Sequence, residues 1–326
     1  MVRIGILGAA GIAPRAMILP ARRRSDVEVV AVASRRQASA ERYAAQHGIP
    51  VPYGSYDDLL EDPAIDAVYV ALPPSEHCAW SVRALEAGKH VLCEKPIAFD
   101  AAEARLMAAA AAGTGKRLVE AFHDRYHPLG GYLAGLRSLE VLGDIVSIDA
   151  SFTASNPYDP TSIRHVPELG GGALMDLGTY PVHWIRSFMA EEPHVVSASF
   201  DPNPLGADET IAATLRFPSG ATAHIGASMA DGQTFSAAMR VEGTEGVLEV
   251  DNPIFPHQGH SVRVTIDGLL HTHTLGGDET YDHQLAAFVD AIETGRALPT
   301  EAEDYVANMS TIDSIYAAAG MLRHRG

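Results

Sequence analysis

Cysteine is nearly absent. The 326 residues carry two, Cys78 and Cys93. That excludes a disulfide framework and a cysteine-based metal set. Positive charge is also scarce: 24 Lys and Arg face 41 Asp and Glu, a formal net charge of −17. Such an excess opposes nucleic acid and anionic membrane surfaces. It leaves room for a local anion site built from a helix N-terminus and a few arginines. No stretch reaches the ~18 consecutive apolar residues of a membrane span. Met1-Val2-Arg3-Ile4-Gly5-Ile6-Leu7 enters a strand at once, with no secretory pattern before it. These absences predict a cytoplasmic protein.

What is present suits a soluble globular protein. Hydrophobic residues make up 47% and charged residues 20%, and the length suits two domains. In the first half, apolar runs alternate with helical spacing. Strands are expected over residues 2–7, 27–33, 65–72, 90–93 and 117–121. Helices are expected over 13–23, 37–47, 75–87 (capped by Ser75) and 101–112 (capped by Asp100). Alternation of this kind implies a parallel, doubly wound α/β sheet.

Gly8-Ala9-Ala10-Gly11-Ile12-Ala13 lies between the first strand and the first helix. Gly8 permits a tight turn, and Gly11 lets a pyrophosphate approach the helix N-terminus. Ala10 departs from the G-x-G-x-x-G pattern, but the strand–turn–helix setting points to a dinucleotide. The second strand ends Ala33-Ser34-Arg35-Arg36, with no carboxylate for ribose hydroxyls. A hydroxyl and guanidinium groups suit a 2′-phosphate, so NADP is the expected cofactor, with NAD as the alternative. Cys93-Glu94-Lys95-Pro96 follows a short apolar strand. Pro96 stiffens the turn that aims the Lys95 ammonium.

The second half begins with a helix over 129–141 and an alternating strand over 144–153. Residues 155–172 form a long loop. A helix is expected from Leu174 to Met189, where Asp176, Tyr180 and His183 share one face. Seven extended segments follow, separated by short turns, so they make an antiparallel sheet. Two helices close the chain, Tyr281–Glu293 and Glu301 to about Leu322. No histidine has a carboxylate or cysteine partner at a diagnostic metal spacing, so no metal site is expected.

Three motifs together resemble the glucose–fructose oxidoreductase / inositol dehydrogenase (Gfo/Idh/MocA) family. They are Gly8-x-x-Gly11-x-Ala13, the run from Ala71 to His77 with Glu94-Lys95-Pro96, and the run from Gly170 to Tyr180. The Ser34-Arg35 ending and Gly178-x-Tyr180-Pro181 look most like its NADP-linked xylose dehydrogenase and dihydrodiol dehydrogenase branch. The resemblance implies an N-terminal Rossmann domain (1–122). It also implies a C-terminal α+β domain with an open, mainly antiparallel sheet for substrate binding and dimerisation (123–326). It further implies a cis peptide bond before Pro96 and a homo-oligomer, dimer or tetramer, formed through the second sheet. Cofactor contacts are then Gly8, Ala10, Gly11, Ile12, Ser34, Arg35, Leu72, Pro73, His77, Glu94 and Lys95. Pro74 departs from the asparagine of many relatives.

The expected activity is hydride transfer between NADP and a secondary hydroxyl or carbonyl carbon of a sugar or cyclic polyol. Tyr180 takes the hydroxyl proton as the carbonyl forms. A free phenol with a pKa near ~10 is a poor base, and an ammonium such as Lys95 favours its phenolate. Lys95 has two roles open to it, tuning Tyr180 and binding substrate. Asp176 orients the sugar or Lys95, and His183 is the alternative proton acceptor. Arg125, Tyr158, Arg164 and His183 are candidate substrate contacts, with His127 and His165 as further polar groups. Two other readings compete: a redox-neutral, glycosidase-like enzyme with tightly bound cofactor, and a non-catalytic dinucleotide-sensing regulator. Lys95, Asp176 and Tyr180 together favour an enzyme.

Overall fold

Six strands at the start of the chain run parallel: β1 (Val2–Leu7), β2 (Val27–Ala33), β3 (Val51–Tyr53), β4 (Ala67–Val70), β5 (His90–Cys93) and β6 (Leu118–Glu120). Their order is β3-β2-β1-β4-β5-β6, and every pairing is parallel. The computed structural model describes residues 1–321. All of β4, and all of β5 except His90, is buried, as covered parallel strands require. The order reverses between β2 and β4 on either side of β1. That switch point is where open α/β sheets hold ligands, at the carboxyl ends of the strands.

The helices of this sheet follow local signals. Pro14–Ile18 coils as a wide π turn before α1 (Leu19–Arg22), where one regular helix was expected. Pro20 has no N–H to continue the ladder. Helix α2 (Gln37–His47) ends on Gly48 at φ +62°, the left-handed cap that glycine favours. Strand β3 and α3 (Tyr56–Glu61) were not expected, and Ser55 caps α3 by accepting from Asp57 N at 3.1 Å. Helix α4 (Pro74–Glu86) corrects the expected Ser75 cap. Pro73 is the N-cap and Pro74 opens the first turn, where a missing N–H costs nothing. Helix α5 (Ala101–Thr114) is capped by Asp100, which accepts from Glu103 N at 2.9 Å.

A second sheet follows. Its elements are α6 (Pro128–Ser138), β7 (Ile145–Thr153), α7 (Thr179–Met189), β8 (His194–Pro202), β9 (Asp208–Arg216), β10 (Thr222–Ser228), β11 (Ser236–Gly243), β12 (Gly246–Asp251), β13 (Ser261–Ile266) and β14 (Leu269–His273). The strand order is β14-β13-β12-β11-β7-β10-β9-β8. Pairings are antiparallel except β7 with β10. One face buries Ile148, Ala150, Phe152, Ile211, Leu215, Ile225, Met239, Val241, Leu248 and Val264. The π turn Leu174–Gly178 and then α7 pack on that face. The long loop is not featureless: Ile163–His165 and Pro167–Leu169 form single 3-10 turns.

The last elements are α8 (Thr280–Thr294) and α9 (Ala302–Ala318). The helix end expected near Leu322 lies outside the described residues. By compactness the chain divides into Met1–Phe122 with Tyr281–Val306, and His123–Thr280 with Ala307 onward. The expectation was a single cut after residue 122. Tyr281–Val306 returns to the first unit because Arg117 donates to Ala291 O at 2.7 Å and to Glu301 at 2.6 Å. Thr300 also brackets Glu120, with both backbone and side-chain bonds. No helix among the described residues is long and apolar enough to cross a membrane.

Candidate active site

In the first unit, four loops leave the carboxyl ends of adjacent strands β2, β1, β4 and β5. They carry Ser34-Arg35, the glycine turn, Leu72-Pro73 and Glu94-Lys95. Gly8 sits at φ +104°, and its N–H donates to Ala33 O at 3.0 Å. A Cβ there would stand 2.5 Å from Ala71 O, so only glycine lets β1 turn so close to the end of β4. Around Gly11 the space is open, with nothing within 4 Å of a Cβ. Ile12 and Arg35 are exposed, and Ala10 and Ser34 are half-buried.

The Lys95–Pro96 bond is cis. The turn is held from several sides. Glu94 N donates to Val70 O at 3.0 Å, and the Tyr69 hydroxyl donates to the Glu94 carboxylate. Ile97 N donates to Glu120 at 2.8 Å. Glu120 is fully buried and was not singled out in the sequence. Its signal was a carboxylate inside the apolar run Leu118-Val119-Glu120-Ala121-Phe122. His77 takes a different part from the expected cofactor contact. It is 1% exposed, and its ring lies between Pro96 O at 2.9 Å and Leu72 O at 2.7 Å. Burial pushes its pKa down to about 4, against two carbonyls that favour the proton. His77 thus joins the two loops that carry Leu72-Pro73 and Lys95-Pro96.

In the second unit, the glycine run positions the helix that bears Asp176 and Tyr180. Gly172 is at φ +127°, where a Cβ would collide with Asp208. Asp208 accepts from Leu174 N at 2.7 Å and from the Tyr316 hydroxyl at 2.9 Å. It anchors the start of the helical segment, another residue that sequence pattern did not disclose. Asp176 accepts from Arg164 Nε at 2.8 Å, with side chains 21% and 52% exposed respectively. The loop and the helix thus bring two predicted residues together.

Tyr180 is 5% exposed. Its ring centroid lies 5.8 Å from Phe152, 6.1 Å from Trp184 and 6.0 Å from His123. Helix α7 is buried around nearly its whole circumference, whereas the sequence suggested one buried side. Trp184 Nε1 donates to Asp124 at 2.7 Å, and burial raises the Asp124 carboxyl above its ordinary range. Asp124, Arg125, His183, Trp184 and Ser187 line a cavity of about 50 Å3. His183 is 1% exposed and lies 3.3 Å from Ser187 Oγ. Arg125 and His183 therefore share a cavity whose lining does not include Asp176, Arg164 or Tyr180. His127 and His165, the further polar candidates, are buried. His127 caps α6 through Leu129 N at 3.2 Å. His165 packs edge-on to Tyr158 at 5.4 Å.

A parallel nucleotide-type sheet with this glycine turn, followed by a large mixed sheet, defines a two-part oxidoreductase architecture. Residues 2–122 match the oxidoreductase family with an NAD-binding Rossmann fold, and residues 137–249 match the GFO/IDH/MocA C-terminal domain. The chain belongs to the GFO/IDH/MocA oxidoreductase family. It is 38% identical over 318 residues to a D-xylose 1-dehydrogenase (NADP(+)) from Haloferax volcanii, covering 97% of this chain and 96% of that one. It is 35% identical over 231 residues to a trans-1,2-dihydrobenzene-1,2-diol dehydrogenase from Sus scrofa, covering 71% and 68%. It also resembles the crystal structure of a 3-ketoreductase from Actinomadura kijaniata with NADP and TDP-benzene. That match has a TM-score of 0.89 and 29% identity over 97% of each chain.

Proposed function

We propose that this chain is an NADP-dependent oxidoreductase acting on a secondary hydroxyl or carbonyl carbon of a sugar or cyclic polyol. One observation carries the reading: the glycine turn, Ser34-Arg35, Leu72-Pro73 and Glu94-Lys95 all leave the same carboxyl edge of one parallel sheet. The residues fit a dinucleotide. The turn is glycine where a Cβ would strike Ala71 O, and the end of β2 offers a hydroxyl and guanidinium groups with no carboxylate. His77 contributes by fixing Leu72 and Pro96. The relatives' named substrates and their NADP support the choice of chemistry.

When bound, the nicotinamide supplies the hydride acceptor or donor. The rest falls to side chains. Tyr180 takes the proton from the substrate hydroxyl as the carbonyl forms. Its surroundings of Phe152, Trp184 and His123 exclude water from the ring. The Lys95 ammonium draws on the substrate oxygen. Asp176 accepts hydrogen bonds from sugar hydroxyls, and its partner Arg164 donates them. Tyr158 and Arg125 add loop contacts, and His183 is the reserve acceptor. Tyr180→Phe tests the assignment: NADP binding should persist while turnover collapses, and full turnover would sink it.

The same reading extends to assembly and compartment. The outer face of the second sheet carries Asp149, His224, Arg240, Glu249 and Arg263, a charged surface of both signs suited to a second copy. Sedimentation of the purified chain tests this, and a monomer at micromolar concentration would refute it. Two buried cysteines outside any disulfide, Cys78 and Cys93, suit the reducing cytoplasm.

A further inference from the structure

Tyr43 lies on α2, which begins directly after Ser34-Arg35-Arg36. Its hydroxyl donates to the carbonyl of Ala10 at 2.8 Å. The same carbonyl accepts from Ala13 N at 3.3 Å. Ala10 occupies the middle of the glycine turn, the position where the usual pattern has glycine. A half-buried tyrosine thus reaches back from the second helix to the turn after the first strand.

A planar trans peptide has its C=O and N–H pointing opposite ways. The Ala10 carbonyl is directed at α2. The Gly11 N–H, across the same peptide, is therefore directed away from α2. Gly11 is exposed, and a Cβ there meets nothing within 4 Å. A small, glycine-flanked peptide flips readily unless one side is held. Burial pushes the Tyr43 hydroxyl up to about 12, so it keeps its proton and remains a donor. The Tyr43 ring is steadied by His47 at 4.4 Å between centroids, one turn along the same helix.

We propose that Tyr43 is a positioning residue for the cofactor's diphosphate, pinning the Ala10–Gly11 peptide so that the Gly11 N–H faces the ligand. This rests on the dinucleotide reading above and assigns a part to a residue outside the motif. It also joins two recognition elements mechanically. The helix that follows the arginines for the 2′-phosphate is the helix that holds the diphosphate turn.

Tyr43→Phe removes one hydroxyl and keeps the ring. Dissociation constants are measured by calorimetry for NADP, NAD and adenosine 2′-monophosphate. NADP and NAD should both weaken about fivefold, the equilibrium equivalent of roughly 1 kcal/mol for one hydrogen bond. Adenosine 2′-monophosphate, which has no diphosphate, should bind as before. Unchanged dinucleotide affinity overturns the proposal. So does an equal loss for adenosine 2′-monophosphate, which would place the effect on α2 and the arginines. A wild-type chain that binds neither dinucleotide defeats the cofactor reading itself, and this assignment with it.

Discussion

Tyr316→Phe deletes one oxygen from the anchor of the helix that carries Asp176 and Tyr180. The hydroxyl is buried and donates to Asp208 at 2.9 Å, while the other carboxylate oxygen holds Leu174 N at 2.7 Å. Asp208 is itself fully buried, so water does not replace the lost donor. Hydrogen bonds to charged groups contribute roughly 1.5–3 kcal/mol. With a urea slope of about 2 kcal/mol/M, the unfolding midpoint should fall by about 1 M. Phe fits the space of Tyr, so no cavity adds to the loss. The assay is urea unfolding followed by tryptophan fluorescence. Trp184, on α7, and Trp80 are the two tryptophans. Ser314→Ala, on the exposed side of α9, is the control and should stay within about 0.5 kcal/mol. A midpoint unchanged in Tyr316→Phe would refute the anchor.

Two further outcomes follow from other parts of the site. Arg35→Ala should weaken NADP tenfold or more by roughly 1.5–3 kcal/mol of charge-assisted bonding, with NAD affected far less; equal losses in a titration with both cofactors would reject the 2′-phosphate role. Asp124 should show itself in the pH dependence of stability. Burial raises its pKa above 3.8, so the folded chain holds a proton that the unfolded chain has released. Its contribution is present below the unfolded value and is lost as pH rises through the folded one. Asp124→Asn keeps an acceptor for Trp184 and removes this loss. The stability of the variant relative to wild type should therefore grow as pH rises above about 3.8 in urea titrations. A constant difference would contradict it.

Much of the first sheet was legible because parallel buried strands write themselves as short apolar runs between caps such as Asp100 and Gly48. Strand β3 was not, since Val51-Pro52-Tyr53 is short and contains proline. Ser75 gave a false cap because Pro73-Pro74 starts α4 more cheaply. In the second sheet, alternation revealed the strands but not their order. Neighbouring segments joined by tight turns suggested hairpins throughout, yet β7 inserts between β10 and β11 and pairs parallel with β10. Pairing across some seventy residues leaves no local mark. The site divides the same way. Gly8, Lys95, Asp176 and Tyr180 stand in recognisable motifs. Glu120, Asp208 and Tyr43 act on those motifs from remote positions, and only the fold brings them there. His165 and His127 read as polar candidates because sequence does not register burial.

The central claim is that Tyr180 takes a proton while NADP is reduced by a sugar or polyol. The direct measurement is NADPH absorbance over a panel of aldoses and polyols, for wild type and for Tyr180→Phe. Wild type should release NADPH in step with substrate oxidised. The variant should bind NADP with little change and lose roughly 100-fold or more of its turnover. Turnover retained in Tyr180→Phe, or no NADPH from any member of the panel with wild type, would contradict the account.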